Sequence, residues 1–180
     1  MKILITGTPG SGKSTLLGAV AAELEKRHGR PTLTVAVNDF IRENSLYDKY
    51  DAHLDTYIID DRKVRRSLKS HLRSLDGEMD AATVVLFETH TVSCLPKEGI
   101  DHCFVLTART DVIYDRLLAR GYSTEKIAEN VECEIMMVVQ EEAVDHFGAS
   151  KVTILRSNAE EDIEDNVDRV LEFVEPKTSE

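Results

Sequence analysis

Long apolar runs are missing from this 180-residue sequence: nowhere do the roughly 18 successive apolar residues needed to cross a membrane occur. The apolar start MKILI is broken by Gly7, Pro9 and Gly10, too early for a signal peptide. Cysteine is scarce. Cys94, Cys103 and Cys133 are odd in number and never spaced Cys-x-x-Cys, which argues against a disulfide framework or zinc site and for a reducing compartment. Basic residues are in deficit too, 22 Lys and Arg against 33 Asp and Glu. The resulting net charge of −11 excludes nonspecific nucleic-acid binding by the whole surface and leaves room only for a local basic patch. Repeats, low-complexity tracts and linkers are absent as well, so residues 1–180 read as one domain, with only the last five or so residues frayed.

What is present is an alternation of short apolar strands and amphipathic helices. Strands are expected at KILIT (2–6), TLTVAV (32–37), ATVVLFE (82–88), HCFVLTA (102–108) and KVTIL (151–155). Helices are expected at 13–28, 39–44, 60–75, 110–120, 123–146 and 162–174. The strands are nearly continuous in apolar residues, which implies a parallel sheet covered on both faces, an α/β fold.

Gly7-x-x-x-x-Gly12-Lys13-Ser14 follows the first strand and opens the first helix. That is the Walker A pattern in its proper context: glycines let backbone N–H groups curl round phosphates, and the helix N-terminus favours their charge. Lys13 would face the β- and γ-phosphates, and the Ser14 hydroxyl would bind Mg²⁺. Glu88 ends the third strand and is the candidate second metal-side group, directly or through water. His90, two residues on, would face the phosphates and orient an attacking water or accept its proton near neutral pH. Phosphoryl transfer also needs cations for the charge spread over the γ-phosphoryl oxygens. Arg116 and Arg120 share a helical face, with Gly121 a hinge for a lid, and Arg42 lies one turn after Asp39. For each arginine the alternative is a solvated surface residue.

With these residues in place, the chain resembles the adenylate kinase isoenzyme 6 family, the nuclear, ribosome-maturation branch of the adenylate kinases. The matching stretches are GTPGSGKST, NDFIRENSLYDKYD, DRLLARGY, ECEI, EEA and NVDRVLEFVE, in order over about residues 3–174. The resemblance implies a P-loop nucleoside monophosphate kinase fold, its five-stranded parallel sheet in the order 2-3-1-4-5. It implies ATP on Gly10, Ser11, Gly12, Lys13, Ser14 and Thr15, with Arg116 against the adenine and Arg120 on ATP. A monophosphate-binding region would span about 36–59, with Arg42 on the AMP phosphate and Asp39 beside it, and a short lid about 119–129. Lys13, Glu88, His90 and Arg120 would carry the chemistry, with Mg²⁺ as cofactor held by Ser14 and Glu88. The resemblance also implies weak, broad adenylate kinase activity paired with ATPase activity, and binding of a platform ribosomal protein of the small subunit during late pre-ribosomal RNA cleavage, in nucleus and cytoplasm.

The sequence departs from the pattern in places. Glu88 stands where Asp is more familiar, Arg109 sits two positions beyond an expected arginine after Leu106, and Ala159 stands where a lysine can contact the nucleotide. No arginine occurs from Gly121 to Lys151. Fewer cations suit a slower kinase and strengthen the alternative of an ATPase assembly factor whose hydrolysis a ribosomal partner times. Residues 62–73 hold six basic residues and no acid, opposite a Val64, Leu68, Leu72 stripe. This face is either solvated or a docking surface for pre-ribosomal RNA or an acidic protein segment.

Overall fold

The computed structural model describes residues 1–52 and 56–175, with backbone alone at His28, Asp76 and Glu78. The middle of the tyrosine-rich run at 53–55 and the expected fraying of 176–180 lie outside the described residues. Five parallel strands, β1 (Lys2–Gly7), β2 (Thr32–Ala36), β5 (Val84–Thr89), β6 (His102–Thr107) and β7 (Val152–Arg156), make one sheet in the order β2-β5-β1-β6-β7. Counted among parallel strands alone this is 2-3-1-4-5, as expected.

Both faces are covered because the strands are apolar on both. Ile3 and Ile5 of β1, with Leu86 of β5, meet Leu16, Val20 and Leu24 of α1 (Lys13–His28) and Val167 and Val170 of α7 (Glu161–Val174). Leu4 and Phe87, one register position away, point to the other face. There they pack with Val37 and Ile41 of α2 (Val37–Glu43), Val64 and Leu68 of α3 (Asp61–Glu78) and Ala143 of α6 (Val138–Phe147). Strand order reverses about β1, which opens a crevice beyond the carboxyl ends of β1, β5 and β6.

Two features depart from the sequence-based expectation. The single helix expected over 123–146 is two, α5 (Thr124–Ile135) and α6, with Met137 between them in the left-handed region at φ 51. Packing explains the break. Ile127 of α5 belongs to a small separate cluster with Ile113 and Leu117 of α4 (Thr110–Ala119), whereas Val139 and Ala143 of α6 join the sheet's core, so the chain must turn between the two. The second is an antiparallel hairpin, β3 (Tyr47–Asp51) and β4 (Thr56–Ile59), in the expected monophosphate-binding region. Its strands lack apolar alternation; Tyr57 instead packs with Tyr47 and Tyr50, ring centroids 4.6 and 5.2 Å apart.

The basic helix α3 also differs from a uniformly outward-facing basic surface. Arg65 is half-buried and donates Nη2 to the Ser93 carbonyl, and Lys69 pairs with Glu98 at 3.1 Å. Arg62, Lys63, Arg66 and Arg73 remain exposed.

Candidate active site

Residues 8–12 join β1 to α1 at the mouth of the crevice. Gly12, in the left-handed region at φ 96, has no room for a side chain: a Cβ there would lie 2.9 Å from Ser157 Oγ. Ser11 Oγ is buried and has no hydrogen-bond partner among the described residues, an orphaned donor inside a loop of the phosphate-binding type. Lys13 is buried and donates Nζ to the carbonyls of Gly7 (2.9 Å) and Thr8 (3.1 Å). Burial pulls its pKa down to about 8, opposed by Glu88 and Glu134 and aided by Arg120.

The two candidate metal-side residues are brought together. Ser14 Oγ, exposed on the first turn of α1, donates to Glu88 Oε1 at 2.8 Å. Glu88 lies in register with Ile5 of β1 and Ala36 of β2, so the sheet itself sets its place. Its extra methylene does not carry it past the hydroxyl. One carboxylate and one hydroxyl, both open to solvent, fit Mg²⁺, which takes one or two protein oxygens and fills the remaining positions with phosphates and water.

His90 sits in the same crevice, its Nδ1 3.1 Å from Asn38 Nδ2 of α2. Burial, then the charges of Lys13 and Lys126, pushes its pKa down to about 4. In the nucleotide-free protein the ring is therefore neutral near pH 7 and a weaker base than a free imidazole, so the orienting part of the expectation fits it better than the proton-accepting part.

The arginines divide. Arg116 Nη1 donates to the carbonyls of Gly10 (3.2 Å) and Ser157 (2.9 Å), bracing the phosphate loop against the turn after β7. Arg120 caps α4, is exposed, and lies near enough for its charge to act on Lys13. Thr15 is exposed on the first turn of α1. Arg42 and Asp39 are exposed on α2 and paired with each other at 2.7 Å. Arg42 is four residues beyond Asn38, hence on the helical face that meets His90.

Three participants were not singled out from the sequence. Asn38 lies within the matched NDF stretch, and Thr8 is a variable position of the Walker A pattern. Glu134 lies within ECEI, and its carboxylate accepts from Thr8 Oγ1 at 2.5 Å and from the Ala108 N–H at 2.8 Å. The one available signal was spacing: Lys126, Asn130 and Glu134 recur every four residues beside the buried Ile127. Lys126, with its ammonium 4.4 Å from the centre of the Tyr122 ring, is the only Lys or Arg from Gly121 to Ser150.

Comparison with known proteins identifies the family of the chain. A sequence profile of a family described as an AAA domain matches residues 3–137. The chain is 35% identical over 171 residues to the adenylate kinase isoenzyme 6 homolog of Caenorhabditis elegans, covering 95% of this chain and 87% of that protein. It is 36% identical over 172 residues to the homolog of the same name in Schizosaccharomyces pombe, covering 96% and 90%. Against the homolog of Candida albicans, identity is 34% over 177 residues, covering 96% and 68%. Among solved structures, TT1252 from Thermus thermophilus superposes with a TM-score of 0.58 over 98% of each chain at 21% identity, a likeness of fold.

Proposed function

The chain belongs to the adenylate kinase isoenzyme 6 family, and from that premise we propose that it transfers the γ-phosphoryl group of ATP to AMP, giving two ADP. One observation carries the reading. Helix α2 touches His90 through Asn38, next to Lys13, and presents Arg42 one turn further along the same face. A phosphate held by Arg42 would thus enter the crevice where the phosphate loop holds its donor.

Each residue then has a defined task. Backbone N–H groups of residues 10–15 and the Ser11 hydroxyl cradle the ATP phosphates, and Lys13 leaves the Gly7 and Thr8 carbonyls for the β- and γ-phosphates. Ser14 and Glu88 would hold Mg²⁺, which when bound offsets charge on the β- and γ-oxygens. Arg120, whose charge already acts on Lys13, is the cation for the transferred group. Arg116 lies at the rim between Gly10 and Ser157, where an adenine would stack.

We infer hydrolysis as an accompanying activity. It is supported by His90, half-buried, neutral in the free protein and held by Asn38, which suits holding a water in line. A role in small-subunit maturation with a platform ribosomal protein is the proposal that follows from the family resemblance. The deciding experiment follows ADP and phosphate from ATP and Mg²⁺ with AMP, without AMP, and with that ribosomal protein. Two ADP per AMP consumed is the expected result. Phosphate release unaffected by AMP, with no AMP consumed, would overturn the kinase reading in favour of an ATPase alone.

A further inference from the structure

Helix α5 begins within the lid region and ends against the phosphate loop. Its apolar side rests on α4 through Ile127, with Val131 packed against the same cluster. Its last turn carries Glu134, and there a single carboxylate joins three parts of the chain. Oε2 accepts from Thr8 Oγ1 in the loop after β1, at 2.5 Å. Oε1 accepts from the Ala108 N–H in the loop after β6, at 2.8 Å. Thr8 is itself fully buried, and its carbonyl accepts from both Lys13 Nζ and the Ser11 N–H, each at 3.1 Å.

In the free protein the charge of Glu134 favours the Lys13 ammonium, but once nucleotide binds an acid in this place is unfavourable. Its charge acts on Lys13, so it also stands near the polyphosphate that Lys13 serves, and like charges repel. An apolar residue would continue the α4–α5 packing without that cost. What a carboxylate offers is two acceptors at fixed separation for two donors from different loops, Thr8 O–H and Ala108 N–H.

We propose that Glu134 is a positioning residue that ties helix α5, which begins within the lid region, to the phosphate loop, so that the seating of α5 fixes Thr8 and, through it, the loop from which Ser11 and Lys13 meet the phosphates. The proposal rests on the kinase reading above. It makes Glu134 act through Thr8, without touching the nucleotide, and this separates it from an ordinary packing residue.

The test compares four variants with wild type: Glu134→Ala, Glu134→Gln, Thr8→Val and the double variant Glu134→Ala/Thr8→Val. For each, kcat and the KM values for ATP and AMP are measured with the unfolding midpoint. A misplaced reacting group costs about tenfold to a hundredfold, so Glu134→Ala should lose about that much in kcat while KM for AMP holds. Glu134→Gln keeps the shape: its carbonyl accepts from Ala108, its amide donates to Thr8, and kcat should stay within about threefold of wild type. If the two residues act as one link, the double variant should be no slower than the slower single one. Wild-type kcat in Glu134→Ala, losses that multiply in the double variant, or a Gln variant as slow as the Ala variant would each overturn the proposal. Should Glu134→Ala fail to fold, Thr8→Val against Glu134→Gln decides it by the same reasoning. If wild-type protein phosphorylated no AMP, the kinase reading would fall, and the same variants compared in ATP hydrolysis would still settle the role of Glu134.

Discussion

Asn38 donates its side-chain amide to Nδ1 of His90 at 3.1 Å, across 52 residues of chain. An amide NH₂ can only donate, so Nδ1 is the acceptor and the ring's hydrogen sits on Nε2. In the nucleotide-free protein burial, then the charges of Lys13 and Lys126, lowers the pKa to about 4, so the ring is neutral and Nε2–H is left as a donor.

That arrangement should separate the two proposed reactions. AMP brings its own positioned nucleophile, whereas hydrolysis needs a water to be held in line. His90→Ala should therefore slow ATP hydrolysis more than AMP phosphorylation, by about 2–4 kcal/mol of barrier if it removes one preorganised donor. Asn38→Ala should shift the ratio of rates the same way, to a smaller extent. Equal losses in both reactions would assign His90 to shared phosphate chemistry instead.

Arg42 is the residue an ATPase could do without. It is exposed, with Asp39 as partner, and free to exchange that carboxylate for a phosphate. Losing a charge-assisted contact costs about tenfold to a hundredfold in affinity, so Arg42→Ala should raise KM for AMP by that factor and leave AMP-independent hydrolysis unchanged. An unaltered AMP dependence removes Arg42 from the site.

Glu88→Gln keeps the shape of the Ser14 partner and removes its charge. Both transfer and hydrolysis should fall, because Mg²⁺ serves both, and raising Mg²⁺ should restore part of each rate. A mutant whose rates ignore Mg²⁺ concentration would place the metal elsewhere.

Much of this was legible in the sequence because it is written in local chemistry. The Walker A glycines, the acid ending a β-branched strand, and the continuous apolar strands each follow from a few adjacent residues. What was missed depends on which distant elements meet. Nothing near Met137 marks a helix break; it arises because Ile127 and Val139 belong to different cores. The tyrosine hairpin is held by ring contacts between strands with no apolar alternation. Glu134 and Thr8 are 126 residues apart, and no spacing rule links them. The low pKa of His90 comes from burial, which its neighbours in sequence do not reveal.

Helix α3 allows a sharper distinction within its basic run. Arg65 donates to the Ser93 carbonyl, and the Ser93 N–H donates to Glu142 at 3.2 Å, fastening the segment after β5 to α3 and α6. Arg65→Ala leaves a half-buried carbonyl without its donor and should cost about 1–3 kcal/mol of unfolding free energy. Reversing exposed Arg62 and Arg66 to Glu should stay within about 0.5 kcal/mol. Any RNA held by this helix is held by that exposed set, so the reversal should weaken retention in a salt-dependent way. Retention unchanged at low salt leaves a solvated face.

Lys13 should set the upper pH limit of the proposed reaction. In the free protein, burial makes its charged form costly and brings its pKa to about 8, so the ammonium is present below that pH and is lost above it. Only the charged form can meet the β- and γ-phosphates. Bound phosphates then favour that charge, raising the pKa in the ATP complex. Because kcat/KM reports the free enzyme and kcat the complex, kcat/KM for ATP should decline above about pH 8 while kcat holds to higher pH. Lys13→Ala should abolish both transfer and hydrolysis and leave the unfolding midpoint no lower, since it removes a buried cation without opening an apolar core. Lys13→Arg should not rescue the activity: a planar guanidinium fork does not replace a compact ammonium at the β- and γ-phosphates. Its permanent charge should also erase the alkaline limb in any residual rate. A decline near pH 8 that persisted in Lys13→Arg would show that another group, and not Lys13, titrates there.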